Sequence, residues 1–279
     1  MKKVWLITGC STGFGRALAK YVLSQGYNAA VASRNTADVQ DIIEGYSDTS
    51  IAIKLDVTKP DDIKDAVKKT VEKFGRIDVL VNNAGIGYLA AIEESEDAAV
   101  REMFEINVFG LARMIQETLP ILRAQKSGHI VNIASIGGLV GFPAVGFYNA
   151  TKFAVDGLSE SLSKEIAPLG IKVTIVAPSG FRTDWAGRSA NSSPIVIDDY
   201  ATTSGKNKQD IRNSSGNQPG DPQRAAEAIV RVVEADNPPL RLLLGANALK
   251  GARNKIEQLK TDINTWEETT IWADSPKKN

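Results

Sequence analysis

The chain has 279 residues, 43% of them hydrophobic, with 33 basic residues against 33 acidic ones, one histidine and one cysteine. That apolar fraction supports a sizeable core and is a poor match to a disordered, collagenous or wholly coiled-coil chain. A net charge of zero with no basic run offers nothing to hold a polyanion, so no nucleic-acid partner is expected, and the lone Cys10 excludes an internal disulfide framework or a multi-cysteine metal site, which suits a reducing, cytoplasmic setting.

The opening MKKVWLIT has too short an apolar stretch for a leader and reads as a strand. Every later apolar run is broken by Gly, Pro or charge before it reaches the roughly 18 residues that cross a bilayer, so no membrane partner is expected. Short β-branched runs follow at Val4–Thr8, Asn28–Ser33, Ile51–Leu55, Ile77–Asn82, His129–Ser135, Lys172–Val176 and Leu240–Leu244. They are too apolar to alternate between a dry and a wet face and read as buried parallel strands. Helical periods separate them at Gly13–Gln25, Ala37–Gly45, Asp61–Phe74, Glu96–Leu122, Phe147–Ala167 and Pro222–Ala235, with another near Ala248–Leu259. Strand and helix in alternation imply right-handed crossovers, and hence a doubly wound, seven-stranded parallel sheet with helices on both faces, Rossmann-like, in one domain over residues 1–279.

Local signals set some boundaries. Thr58 is a candidate cap before Pro60 and Asp61, and Phe74-Gly75 ends the same helix. Pro120 is expected to weaken the end of the long Glu96–Leu122 helix. The stretch 187–220, rich in Ser, Asn and Gly, interrupts the pattern and, taken from 184, reads as a substrate lid with a short helix near Ile197–Thr203. In the tail, 261–279, one or both of Trp266 and Trp272 are expected to pack onto the domain, with a partner interface as the alternative.

Chemistry concentrates after the strands. Gly9, Ser11, Thr12, Gly13, Phe14 and Gly15 lie between the first strand and the first helix. Glycines there let backbone N–H groups and the helix N-terminus approach a pyrophosphate. The spacing is GxxxGxG, which departs from the GxGxxG fingerprint but keeps its strand, turn and helix setting. An acid at the end of the second strand would bind the ribose of NAD. The chain has Ser33, Arg34 and Asn35 instead, and a guanidinium there suits a 2′-phosphate, so NADP(H) is the expected cofactor. Asp38 lies several residues further on.

Four more segments follow: Asn82-Asn83-Ala84-Gly85, Asn107 within the long helix, Ser135 after the fifth strand, and Tyr148-Asn149-Ala150-Thr151-Lys152. Tyr148 and Lys152 stand four apart, so both emerge from one helix face, and an ammonium near a phenol favours phenolate. A serine at a strand's carboxyl end lies where open α/β sheets place ligands. Together these motifs resemble the classical short-chain dehydrogenase/reductase family over almost the whole chain, from Thr8 to at least Thr183. The resemblance implies Tyr148 as acid/base, Lys152 on the nicotinamide ribose, Ser135 positioning the carbonyl or hydroxyl, and Asn107 holding a water-linked proton route. It also implies Asp56 and Val57 at the adenine, Asn83, Ala84 and Gly85 along the cofactor wall, and Pro178, Gly180, Phe181 and Thr183 beside the carboxamide. Here Ser179 stands directly after the proline where the family has glycine. A homodimer or homotetramer through the Glu96–Leu122 and Phe147–Ala167 helices is a further implication.

Leu139, Val140, Phe142, Val145, Phe181 and Trp185 are candidate linings of an apolar substrate pocket, with Arg182 and Arg188 near in sequence. They favour a hydrophobic ketone, aldehyde or secondary alcohol as the small-molecule partner, and the resemblance implies that an NADP(H)-linked member runs as a reductase. A sugar-nucleotide epimerase or dehydratase is the rival enzyme, opposed by Arg34 and the short chain after Thr183. A non-catalytic NADP(H) sensor is the other rival, opposed by the presence of Tyr148 and Lys152. His129, opening a strand away from these residues, reads as structural, and with no second soft ligand no metal is expected. Cys10, beside a helix start, is weighed as a buried packing residue or a reactive thiol.

Overall fold

A computed structural model describes residues 2–187 and 189–274, which leaves Arg188 and the last five residues of the tail outside the described set. The strands are β1 (Val4–Ile7), β2 (Asn28–Ser33), β3 (Ser50–Lys54), β4 (Val79–Asn82), β5 (Gly87–Leu89), β6 (Gly128–Ile133), β7 (Ile171–Pro178), β8 (Ala190–Ser192) and β9 (Arg241–Leu244). The helices are α1 (Gly13–Ser24), α2 (Gln40–Ile43), α3 (Pro60–Phe74), α4 (Asp97–Phe104), α5 (Leu111–Gln125), α6 (Gly146–Ile166), α7 (Lys206–Asn213), α8 (Pro222–Val233), α9 (Ala246–Thr265) and α10 (Glu267–Trp272).

Seven strands form one sheet in the order β3-β2-β1-β4-β6-β7-β9, all parallel. Successive side chains of a strand point to opposite faces, and here both faces are dry. Trp5, Ile7, Val31, Val79, Val81, Val131 and Val176 pack on one side with α1 and α8, whereas Leu6, Ala30, Ile53, Leu80, Ile130 and Ile175 pack on the other with α3, α5 and α6. This two-sided burial is why the strands read as apolar runs. No helix among the described residues is long and apolar enough to cross a membrane.

The order of strands reverses between β1 and β4, and the carboxyl ends of those two strands are clasped together. The Thr8 hydroxyl accepts from the backbone N–H groups of Asn83 and Ala84, each at 3.0 Å, and Asn83 Nδ2 donates to the carbonyls of Thr8 and Gly9, each at 2.9 Å. At the far edge of the sheet, β9 is held to α6 by Arg241, whose guanidinium pairs with Asp156 and Glu160.

Several boundaries differ from the sequence reading. The expected helix at Ala37–Gly45 is a 3₁₀ turn, Thr36–Val39, capped by the Asn35 side chain, followed by the single turn α2. Thr58 does not cap α3; its hydroxyl donates to Asp56 at 2.7 Å, and Pro60 opens the helix by supplying a fixed φ where no N–H partner is needed. Gly75 does end it, with a φ of 76°. Pro120 sits inside α5, which continues to Gln125, and α4 joins α5 through a wide π turn at Glu105–Gly110. A second, two-stranded sheet of β5 with β8 was not legible, because three-residue strands carry no periodic signal.

The segment expected to be a lid is ordered through polar staples. Buried Glu94 accepts from the backbone N–H of Ala91 at 3.0 Å and of Ile197 at 2.9 Å, and its carbonyl accepts from Ser193 Oγ at 2.6 Å. Arg212 donates to the carbonyls of Ala186 and Gly187, both at 2.7 Å, and to Ser192 Oγ at 2.8 Å. The short helix expected near Ile197–Thr203 is a 3₁₀ turn, Asp198–Tyr200, that runs through a π turn into α7. In the tail, Trp266 and Trp272 do not pack onto the rest of the chain; both are exposed.

His129 is buried at the start of β6, with Nε2 2.9 Å from Thr174 Oγ1. The Thr174 hydroxyl gives its own proton to the Pro239 carbonyl at 3.0 Å, so Nε2 is the donor and Nδ1, buried without a partner, has no acceptor for a second proton. Burial, with Lys172 and Lys3 adding repulsion, pulls the imidazole down to about 4. The unfolded chain therefore takes up a proton near pH 6.5 that the folded chain refuses until about 4, and stability is lost as pH falls across that window. Urea unfolding is expected to weaken by on the order of 3 kcal/mol from this group between pH 7 and pH 4. That part of the loss should be absent in His129→Gln; an equal loss in both proteins would contradict the assignment.

Candidate active site

The carboxyl ends of β1, β2, β4, β6 and β7 border a cleft of about 1170 Å³. Open parallel sheets present ligand sites at this edge, outside the reversal of strand order. Along one end of the cleft lie Gly9, Ser11, Thr12, Gly13 and Phe14. Gly9 has a φ of 69° and lies so close to the strand-β4 loop that a Cβ would stand 2.9 Å from Ala84 Cα. Gly15 does not line the cleft. It lets α1 pass behind the loop, where a Cβ would meet Asn83 Nδ2 at 2.4 Å and the Gly9 carbonyl oxygen at 2.5 Å. Thr12 is the N-cap residue of α1 without a side-chain capping bond, and the first turn holds no acidic residue, so the helix's free N–H groups face the cleft end unopposed.

Cys10, inside this loop, is fully buried, its thiol donating to the Ile7 carbonyl, and burial pushes it up to about 12. The reactive-thiol alternative is therefore not supported: desolvation of the thiolate outweighs the nearby helix start.

At the next station, Ser33, Arg34, Asp38, Asp56 and Val57 line the wall. Arg34 is exposed and makes no hydrogen bond or ion pair among the described residues. Arg16, the other nearby guanidinium, is instead committed to Asp41 and to the Asp38 carbonyl. Asp56 is held below the usual carboxylate range: burial opposes this, but hydrogen bonds from Thr58 and the charges of Lys59 and Arg34 prevail. Asn35 points elsewhere, its side chain accepting from Ala37 N at 3.1 Å, and the Ser33 hydroxyl donates to the Asn35 carbonyl. Both are engaged in shaping the turn that presents Arg34.

Asn83, Ala84, Gly85, Ser135, Tyr148 and Lys152 continue the lining toward the centre. Ser135 follows β6 and caps a short turn, its hydroxyl oxygen accepting from Gly137 N at 3.0 Å. That leaves its proton available, and the hydroxyl lies in the same stretch of the cleft lining as the Tyr148 phenol. Lys152 is buried, one turn along α6 from Tyr148, with Nζ 2.9 Å from the Ile133 carbonyl and 5.7 Å from the centre of the phenol ring. The electrostatics run opposite to the sequence expectation of a lowered phenol. Burial pushes Tyr148 up to about 12, with the Ser135 hydroxyl pulling the other way, and burial draws Lys152 down to about 8. In a dry site each charged form loses hydration, and the ammonium is directed at a backbone carbonyl rather than at the phenolic oxygen.

Asn107 lies behind this centre, in the π turn, and does not line the cleft. Its amide is fully engaged: Oδ1 accepts from Ile86 N at 2.9 Å, while Nδ2 donates to the Ile86 carbonyl at 2.9 Å and to Thr151 Oγ1 at 3.2 Å. In this arrangement it fixes the loop at Gly85 and Ile86 against α6. The wider π turn coincides with this contact.

Pro178, Gly180, Phe181 and Thr183 close the opposite wall. Ser179, the departure after the proline, is tied to the end of β9, its backbone N–H donating to the Leu244 carbonyl at 3.0 Å. Phe181 stacks edge-on against Phe14 at 5.0 Å. Of the expected apolar lining, Phe142, Val145, Phe181 and Trp185 border the cleft, and Trp185 lies against the Tyr148 ring at 4.9 Å. Leu139 and Val140 do not; they turn away to pack with Ile136 against Ala248 and Ala252 of α9. Arg182 is likewise withdrawn, bound to the Gln218 carbonyl and Asp221, and Arg188 lies outside the described residues.

Among the lining residues that went unassigned in the sequence, two are buried polar ones. Asn149 and Gln218 are buried, and each has a carbonyl oxygen without a partner, Oδ1 and Oε1. Asn149 sits within a motif whose flanking residues drew the attention. Gln218 is distant in sequence and is brought in by the lid, which also lends Ser189, Asn191, Asn207, Ile211 and Ser214. Only the fold joins them.

Comparison with known proteins agrees with this arrangement. The description "short chain dehydrogenase" matches residues 3–193. The chain is 38% identical to the oxidoreductase BOA17 of Botryotinia fuckeliana over 97% of its own length and 99% of the relative's. It is similar to the solved structure of a short-chain dehydrogenase from Streptomyces avermitilis, with a TM-score of 0.91 and 38% identity over 99% of both chains. An alcohol dehydrogenase from Thermococcus sibiricus complexed with 5-hydroxy-NADP is also similar, with a TM-score of 0.72 and 26% identity over 88% of this chain and 96% of that one. From the glycine loop, the phenol, lysine and serine at the sheet's carboxyl edge and these likenesses together, the chain belongs to the short-chain dehydrogenase family and is an oxidoreductase.

Proposed function

We propose that the protein is an NADP(H)-dependent carbonyl reductase of the cytoplasm, taking a mainly hydrophobic ketone or aldehyde, or its secondary alcohol in reverse, with Tyr148 as acid/base. The observation that carries this reading is the convergence of Tyr148, Ser135 and Lys152 on one point of the cleft, beside the apolar Phe142, Val145 and Trp185.

The chain's residues suit a dinucleotide along the whole cleft. Gly9 and Gly13, both at positive φ, and the uncapped start of α1 would hold the pyrophosphate with Ser11, Thr12, Phe14 and Thr183 around it. The free Arg34 would take a 2′-phosphate, Asp56 and Val57 would border the adenine, and Ala84, Gly85, Pro178, Gly180 and Phe181 would flank the nicotinamide end. When bound, the cofactor supplies or receives the hydride. Tyr148, kept protonated at neutral pH by burial, gives its proton to the substrate oxygen as negative charge grows there, which favours reduction. Ser135 donates to the same oxygen, and the Lys152 ammonium, held by the Ile133 carbonyl, stands ready for the ribose and for the phenolate left behind. Among the described residues of that loop, with Arg182 withdrawn, no guanidinium reaches a substrate carboxylate, in keeping with an apolar substrate. A homodimer or homotetramer through α4–α5 and α6 is supported by the exposure of Phe109, Phe153 and Leu158 on those elements.

Tyr148→Phe is expected to keep cofactor affinity and to lower turnover by about 100-fold or more, because it removes the proton donor and leaves the phosphate site alone. Wild-type turnover in that variant would refute the role. Arg34→Ser is expected to weaken NADPH binding by about tenfold or more, as read by quenching of protein fluorescence, with NADH binding unchanged. Equal losses for both cofactors, or tighter NADH binding by the wild type, would contradict NADP(H) selection.

A further inference from the structure

α9 leaves the domain carrying an apolar stripe that no other described residue covers. Leu249, Ala252, Ile256, Leu259, Ile263 and Trp266 recur at alternating spacings of three and four. That is the a/d seam of a two-stranded coiled coil, narrower than the face of a core-facing helix. Its first turns are used locally: Ala248 and Ala252 are buried against Ile136, with Leu139 and Val140 alongside. Beyond Lys255 every described residue to Asp274 is exposed, and the seam is among the most exposed, with Ile256 at 61%, Ile263 at 66% and Trp266 at 63% of full accessibility. Ile271 and Trp272 of α10 are exposed as well. The helix from Ile256 to Thr265 thus runs for about 15 Å with no contact to account for its hydrophobic residues.

Charge identifies the occupant. Residues 250–260 carry Lys250, Arg253, Lys255 and Lys260 against Glu257, and residues 262–268 carry Asp262, Glu267 and Glu268 with no base. Within α9 the bases lie toward the start and Asp262 toward the end, opposite to what the helix dipole favours, while Glu267 and Glu268 stand in the first turn of α10. An antiparallel second helix of the same sequence sets basic half against acidic half at both ends, whereas a parallel one sets like against like. A membrane surface is a poorer match, because an interfacial helix carries Lys and Arg along its polar face and this one turns acidic halfway.

We infer that the C-terminal helices of two copies of this chain pair antiparallel along the Ile256–Trp266 seam, a contact separate from the helices that border the catalytic cleft. Sedimentation velocity of the full chain over a concentration series tests it, with far-UV circular dichroism and the thermal midpoint as folding controls. The Ile256→Ser, Ile263→Ser double variant is expected to keep its fold and to sediment at half the wild-type mass. Reversing Glu267 and Glu268 to Lys is expected to weaken the association, and reversing Arg253 and Lys255 to Glu in the same chain is expected to restore it. Identical masses for wild type and the serine variant would overturn the proposal. So would loss on the first charge reversal without recovery on the second, or an unchanged mass accompanied by flotation of wild type, but not the serine variant, with phosphatidylglycerol vesicles.

Discussion

The arrangement depends on the clasp between Thr8 and Asn83. The order of strands reverses between β1 and β4, and the sheet's natural opening lies there. One threonine hydroxyl and one asparagine amide close the gap behind that opening, binding the two strand ends through backbone groups that would otherwise be buried without partners. The glycine loop takes its shape from this clasp, because Gly9 and Gly15 are the positions at which a side chain would collide with it. Loop, helix start and wall are therefore fixed before any ligand arrives.

From that edge the same logic runs inward. Asn107 does for the Gly85–Ile86 loop and α6 what Asn83 does for β1 and β4: a side-chain amide saturates backbone groups and sets a distance. Lys152 is aimed by the Ile133 carbonyl, and Ser135 by Gly137 N. Ser135 and Lys152 are thus oriented by backbone groups, which preorganises that part of the centre, and burial raises the Tyr148 phenol and lowers the Lys152 ammonium.

Much of this was legible in the sequence, for physical reasons. Strands buried on both faces must be apolar throughout, so the seven sheet strands stood out, and the motif residues lie at strand ends where the topology gathers them. Where the reading failed, the cause was contact at long range. Gln218 enters the cleft only because Arg212 and Glu94 staple the lid down, and Leu139 and Val140 leave it only because α9 docks on them. The sign of the Tyr148 shift depends on how deeply the phenol is buried and where the ammonium points, and a spacing of four along a helix specifies neither. The tail tryptophans looked like core because a large aromatic usually is, while the regular three-and-four spacing around Trp266 carries the opposite message.

The central claim is that this preorganised centre performs hydride transfer on an apolar carbonyl. The most direct measurement is NADPH consumption by the purified full-length protein across a panel of aliphatic and aromatic ketones and aldehydes, set beside keto acids of similar size. The account predicts turnover with the hydrophobic members and little with the acids. Saturable NADPH binding with no consumption across the whole panel would contradict it, and would leave a protein that senses the cofactor without using it.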